Sequence, residues 1–130
     1  MKDIPILYED AHLLFINKPA GIMVHSDGRK SEPTIADWVL KTHPEMESVG
    51  ESFLEEDEEG EEEKNKKVIR PGIVHRLDKD TTGVLVLAKD QKTFAILKSA
   101  FKKHKVIKMY YAFVYGSVKN DRGRINRSIA

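Results

Sequence analysis

From Glu55 to Glu63, eight of nine consecutive positions are Asp or Glu, and no apolar residue interrupts them. Such a like-charge run buries too little surface to offset the entropy lost on ordering, so it is expected to be solvated, disordered chain outside any core. With its flanks this acidic insertion is expected to span 51–67, with order resuming at Val68. The run also divides the chain electrostatically. Residues 1–63 carry 5 Lys+Arg against 17 Asp+Glu, a net of −12, whereas residues 64–130 carry 17 against 4, a net of +13. The overall charge of +1 is therefore a cancellation. A basic half fits a phosphate-backbone partner, RNA or DNA, with a merely solvated basic surface as the competing reading. For the acidic run itself, the functional alternative is an arm that imitates phosphate and occupies the basic half.

The 130-residue chain as a whole has the 40% hydrophobic and 33% charged composition of one folded domain. No stretch approaches the roughly 20 apolar residues that cross a bilayer, and Met1 to Pro5 are not followed by a signal-peptide run, so the reading is intracellular and cytoplasmic, without a membrane partner. Absence of cysteine excludes a disulfide framework, a thiolate nucleophile and sulfur-ligated zinc. His12, His25, His43 and His104 show no ligand spacing, so no metal site is expected.

Local patterns place the elements. Ile4–Tyr8 and Leu13–Ile16 read as short strands around a Glu9-Asp10 turn, and Lys18-Pro19-Ala20-Gly21 turns the chain before Ile22-Met23-Val24. Thr34 and Asp37 resemble a capping box, followed by Ile35, Trp38 and Val39 on one helical face; Pro44 ends that helix near Thr42 or His43. Val84–Ala88, after Gly83, reads as a central buried strand. Asp90 can cap a helix whose Phe94, Leu97 and Phe101 recur at helical spacing. Lys105–Tyr115 is rich in β-branched and aromatic residues and reads as a strand closed by Gly116. Asn120–Gly123 looks like a hairpin turn, with Arg124–Ile129 as the returning strand. The whole predicts an α+β domain on a mixed or mostly antiparallel sheet flanked by helices.

The segment Arg70-Pro71-Gly72-Ile73-Val74-His75-Arg76-Leu77-Asp78-Lys79-Asp80-Thr81-Thr82-Gly83 gathers polar groups just before the buried strand, where rigid scaffolds place reactive side chains. By pattern alone the plainer reading leads, with Arg76 and Asp78 as a salt bridge and a turn residue. The run His75-Arg76-Leu77-Asp78 followed by Asp80-Thr81-Thr82-Gly83, however, resembles the signature around the catalytic aspartate of RluA-type RNA pseudouridine synthases. Asn17-Lys18-Pro19-Ala20-Gly21 with Val24-His25 is similar to that family's early motif, and Lys108-Met109-Tyr110-Tyr111-Ala112 to its later Lys-x-Tyr-x-Ala strand. Thr82 stands where many members have serine.

The resemblance implies isomerisation of uridine to pseudouridine in ribosomal or transfer RNA, without cofactor or metal. Asp78 would be the catalytic carboxylate, attacking C1′ or taking the 2′ proton, and both roles stay open. Arg76 would fill the gap left by the everted base, Tyr110 would stack on the uracil, Thr82 would keep a substrate-binding hydroxyl, and His75 would position rather than carry a proton. Lys18, Lys102, Lys103, Lys105 and Lys108 are each read as solvated lysines within reach of phosphate. A third family segment, with a basic partner for the catalytic carboxylate, has no match here, and Arg124 and Arg127 come too early for it. Nor does a basic RNA-binding module precede Ile4. The expectation is a partial catalytic domain over 1–130, incomplete at the C-terminus, monomeric and inactive alone. The alternative is a non-catalytic RNA-binding module on the same fold.

Overall fold

The computed structural model describes residues 3–26, 32–55 and 66–127. β1 (Ile6–Glu9) and β2 (Leu13–Lys18) form an antiparallel hairpin whose reversal is built by Asp10. Its Oδ1 accepts the His12 and Leu13 N–H groups at 2.7 Å each, and its Oδ2 accepts the Tyr8 hydroxyl at 2.8 Å. A short acidic side chain thus supplies bonds that the turning backbone lacks.

β2 also pairs antiparallel with β5 (Gly83–Ala88), so the three-stranded order is β1-β2-β5. The central strand is β2, not Val84–Ala88 as expected. β5 has a ladder along one side only; on the other, Ala88 N–H donates to the Gly72 carbonyl at 3.0 Å, Ile73 bridges Leu87, and Val86 N–H donates to His75 Nε2 at 3.2 Å. The polar loop itself takes the bonds that a further strand would have taken.

Alternation along the strands separates the two faces of the sheet. Leu14 and Ile16 stand opposite Leu87 and Leu85 in the register, and all four are buried. α1 (Ile35–Thr42) covers them with Ile35, Trp38 and Val39, joined by Met46 from a single 3₁₀ turn at Pro44–Met46. Thr34 and Asp37 form the expected reciprocal capping box, and the helix stops before Pro44. Phe15, Val84 and Val86 lie on the opposite face, which is only partly covered; Val84 is 57% exposed.

α2 (Gln91–Lys102) begins at Asp90, whose Oδ1 accepts the Thr93 N–H at 2.9 Å. That bond, with the His12 ring and the Thr93 hydroxyl, holds the Asp90 carboxyl well below the usual carboxylate range. Phe94 anchors the helix in a second cluster with Val49 and Ala88.

β3 (Gly50–Glu55) and β4 (Lys66–Pro71) make a separate antiparallel pair. Residues 51–55 and 66–67, expected to be unstructured, are therefore paired strands. The register sets Glu51 opposite Arg70 and Glu55 opposite Lys66. The rest of the acidic run lies outside the described residues.

The C-terminal expectation needs a larger correction. Among the described residues, none from Lys105 to Arg127 is in a strand, and neither the Lys105–Tyr115 strand nor the 120–123 hairpin forms; residues 128–130 lie outside the described set. β-rich composition says only that a segment fits a pleated surface, whereas a strand needs a neighbour to bond. The free side of β5 is already occupied by the loop, and Tyr111 stays 98% exposed.

Candidate active site

The loop after β4 is pinned at several points, and its reactive side chains stand between the pins. Gly72 adopts φ +63°, donates its N–H to Val49 O at 2.8 Å and lies against β5 so closely that a Cβ would sit 2.1 Å from Ala88 O. His75 is half-buried, stacks on Phe101 with ring centroids 4.5 Å apart, and accepts from Val86 N–H through Nε2. Burial, reinforced by the Lys108 ammonium, lowers its pKa from 6.5 to about 4. It is a neutral imidazole at pH 7. Leu77 is buried in the main core.

Arg76 and Asp78 alternate with these anchored residues and are both exposed. They line one cleft of about 220 Å³ with Met23, Val24, His25 and Lys79. Among the described residues they do not form an ion pair with each other, so the simple salt-bridge reading of the pair fails. The Asp78 carboxylate has no hydrogen bond among the described residues.

Lys18 departs furthest from its sequence expectation. Expected as a solvated lysine, it is fully buried. Alternation puts it on the core face of β2 beside Ile16, and its Nζ donates to the Pro19 and Lys79 carbonyls at 2.9 Å each. Gly21, at φ +84°, donates its N–H to the same Lys79 oxygen at 2.9 Å. The early motif thus clamps the chain one residue beyond Asp78. Desolvation lowers the Lys18 pKa, and the carboxylates of Asp80 and Asp78 oppose that shift. His25, not expected among the site residues, also shares the Asp78 cleft; its only sequence signal is its place in the early motif.

Thr82 and Tyr110 fall elsewhere. Together with His75 they line a separate cleft of about 340 Å³ on the open face of the sheet, among Phe15, Val86 and Phe101. Tyr110 is 61% exposed. Leu77 borders both clefts, so Thr82 and Tyr110 stand apart from Arg76 and Asp78, while His75 also lines a third cleft with Arg76. Lys108 reaches the Phe101 ring at 5.4 Å, while Lys102, Lys103 and Lys105 are exposed as expected. Among the described residues no three His, Asp or Glu side chains are grouped as a metal-binding set, and no helix is long and apolar enough to cross a membrane.

An α+β domain that presents an exposed arginine and aspartate on a clamped loop is the class that fold and site define. Residues 12–130 match the family model described as RNA pseudouridylate synthase, and the chain belongs to that family. It is 38% identical over 121 residues to an uncharacterized RNA pseudouridine synthase of Synechocystis, covering 93% of this chain and 32% of that protein. It is 37% identical over 126 residues to the ribosomal large subunit pseudouridine synthase D of Borreliella burgdorferi, covering 97% and 34%. The structure of human RNA pseudouridylate synthase domain containing 4 aligns over 77% of this chain and 30% of that chain, with 27% identity and a TM-score of 0.47. The chain spans about a third of the length of the curated relatives it matches.

Proposed function

We propose that this chain carries the catalytic aspartate of an enzyme that converts uridine to pseudouridine in ribosomal or transfer RNA in the cytoplasm. The observation that carries the proposal is the placement of Asp78 beside Arg76 in one open cleft, on a loop held by Lys18 below it and His75 before it. The reaction breaks the N1–C1′ bond, turns the uracil, joins C5 to C1′, releases the C5 proton and returns a proton to N1. A carboxylate begins it by attacking C1′ or by removing the 2′ proton. Either route needs an accessible, fixed oxygen, which an exposed side chain on a clamped loop supplies. Arg76 fills the space of the everted base, its planar cation suiting both base edges and phosphate. His75, neutral and bonded to β5, positions the loop. Tyr110 and Thr82 serve the uracil from the neighbouring cleft.

The test is release of C5 hydrogen from uridine in RNA, by this polypeptide alone and by any longer natural polypeptide containing it, each against Asp78→Asn. The longer protein is expected to release it, the mutant not, and the 130-residue chain little, because the basic partner that the family resemblance implies for the catalytic carboxylate has no match in these residues. The separation of Asp78 from the Tyr110 cleft favours a second reading, a module that holds RNA without modifying it. RNA affinity with no product in either form would establish that reading instead.

A further inference from the structure

His25 lines the Asp78 cleft and is held on both sides in sequence. Before it, the carbonyls of Met23 and Val24 accept the first N–H groups of α1, those of Ile35 and Ala36, at 2.9 and 3.0 Å, and Val24 is buried in the main core. After it, His25 Nδ1 lies 3.0 Å from the Ser26 carbonyl oxygen. A carbonyl only accepts, so Nδ1 carries the hydrogen of the neutral ring and Nε2 carries its lone pair. Among the described residues Nε2 has no hydrogen-bond partner.

The polar side chains that share the cleft divide by what they can offer a ligand. Arg76 and Lys79 only donate, and Lys79 is paired with Glu32 at 2.6 Å. The side-chain acceptors are the Asp78 carboxylate, the His25 imidazole and, weakly, the Met23 thioether.

We propose that His25 is a specificity-determining residue, whose Nε2 accepts a hydrogen bond from the 2′-hydroxyl of the target nucleotide and so selects RNA over DNA. The proposal rests on the enzyme reading above. Attack at C1′ or removal of the 2′ proton brings the sugar to Asp78, while Thr82 and Tyr110 serve the uracil from the far side of Leu77. Within an RNA strand the 3′ and 5′ oxygens are esterified and the ring oxygen is an ether, so the 2′-hydroxyl is the one donor that the sugar has. A bond from that hydroxyl to Asp78 would occupy the oxygen that the reaction needs. The imidazole is the remaining nitrogen or oxygen acceptor among the lining side chains, and the 2′-hydroxyl is the group by which a protein tells RNA from DNA.

The probes are ribosomal and transfer RNA transcripts made either with uridine or with 2′-fluoro-2′-deoxyuridine, whose fluorine cannot donate. Affinity for each is measured with the longest natural form of the protein, together with C5 hydrogen release from the uridine transcripts. Two variants separate the two ring nitrogens. His25→Gln sets an amide oxygen near the place of Nε2 and keeps the acceptor, whereas His25→Asn sets an amide nitrogen near the place of Nδ1 and keeps the Ser26 bond. His25→Asn is expected to weaken binding of the uridine RNA by about 3- to 10-fold, the worth of one neutral hydrogen bond, and to leave the fluoro RNA unchanged. His25→Gln should stay close to wild type with both. A ring that only braces its loop gives the opposite result, with His25→Asn harmless and His25→Gln impaired on both RNAs, and that result overturns the proposal. Equal losses on the two RNAs in His25→Asn, or no loss, overturn it as well. A uridine-specific loss without C5 hydrogen release by any form keeps the hydroxyl contact and removes the enzyme reading. Release by the wild type with an affinity ratio that His25→Asn does not alter keeps the enzyme and removes the contact.

Discussion

Lys18 Nζ lies 2.9 Å from the carbonyl oxygen of Lys79, so a fully buried ammonium on β2 fixes the backbone one residue past Asp78. Hydrogen bonds from a charged donor contribute about 1.5–3 kcal/mol, and removal of the donor leaves acceptors in the interior. Lys18→Met keeps the length and loses the bonds. Its expected outcome is a stability loss of about 1–3 kcal/mol and, for the proposed reaction, a fall in kcat much larger than any rise in KM, since the loop that carries Asp78 is misplaced. Denaturant titration and steady-state kinetics check the two parts. An unchanged kcat in a stably folded variant would show that the clamp does not position Asp78.

His75 sets a pH dependence whose sign is fixed by its environment. Its pKa is lowered from 6.5 in the ordinary state to about 4 in the fold. Between those values the unfolded chain binds a proton that the folded chain refuses, so stability falls as pH drops from about 6.5 towards 4 and is level above that window. Partial exposure screens the effect to about 1–2 kcal/mol. His75→Phe retains an aromatic partner for Phe101 and cannot titrate. It should be less stable at pH 7 by about 1 kcal/mol, through the lost Val86 bond, yet lack this part of the acid slope. Urea unfolding of both proteins at several pH values between about 4.5 and 7.5 gives the difference.

Gly72 is required by close approach as well as by its backbone angle. A methyl group there meets Ala88 O at 2.1 Å and Met46 Cε at 2.8 Å, at a φ of +63° that side chains rarely adopt. Gly72→Ala should cost at least about 2 kcal/mol and loosen the loop from β5. Thermal unfolding measures the loss. Faster amide exchange at Ala88, whose N–H bonds to Gly72, localises it.

Thr34 supplies a smaller, local test. Its hydroxyl caps the Asp37 N–H at 3.3 Å, and Asp37 accepts from the Thr34 N–H at 2.8 Å. Thr34→Ala is expected to lose about 1 kcal/mol, and Thr34→Ser very little. Equal losses in the two would show that the methyl packing, rather than the cap, matters at this buried position.

The helices and the β1–β2 hairpin were legible because their signals are local. Thr34 with Asp37 marks the start of α1, Pro44 its end, and Asp90 the start of α2, each through a bond or a steric clash spanning a few residues. The same locality explains the failures. Lys105–Tyr115 has the composition of a strand, yet pairing depends on an edge that the 72–75 loop takes. Lys18 looks like any surface lysine until alternation on β2 is combined with the position of Lys79, 61 residues away.

The residues themselves therefore determined the two helices, the β1–β2 hairpin, the family and the presence of Asp78, Arg76, His75, Thr82 and Tyr110 in the chain, because those properties reside in short stretches of covalent sequence. Tertiary structure alone decided which of them share a cleft, which lysine is buried and which strand edge is free. Those outcomes turn on distances between segments far apart along the chain, which are set by packing of the two faces of the sheet rather than by any local preference.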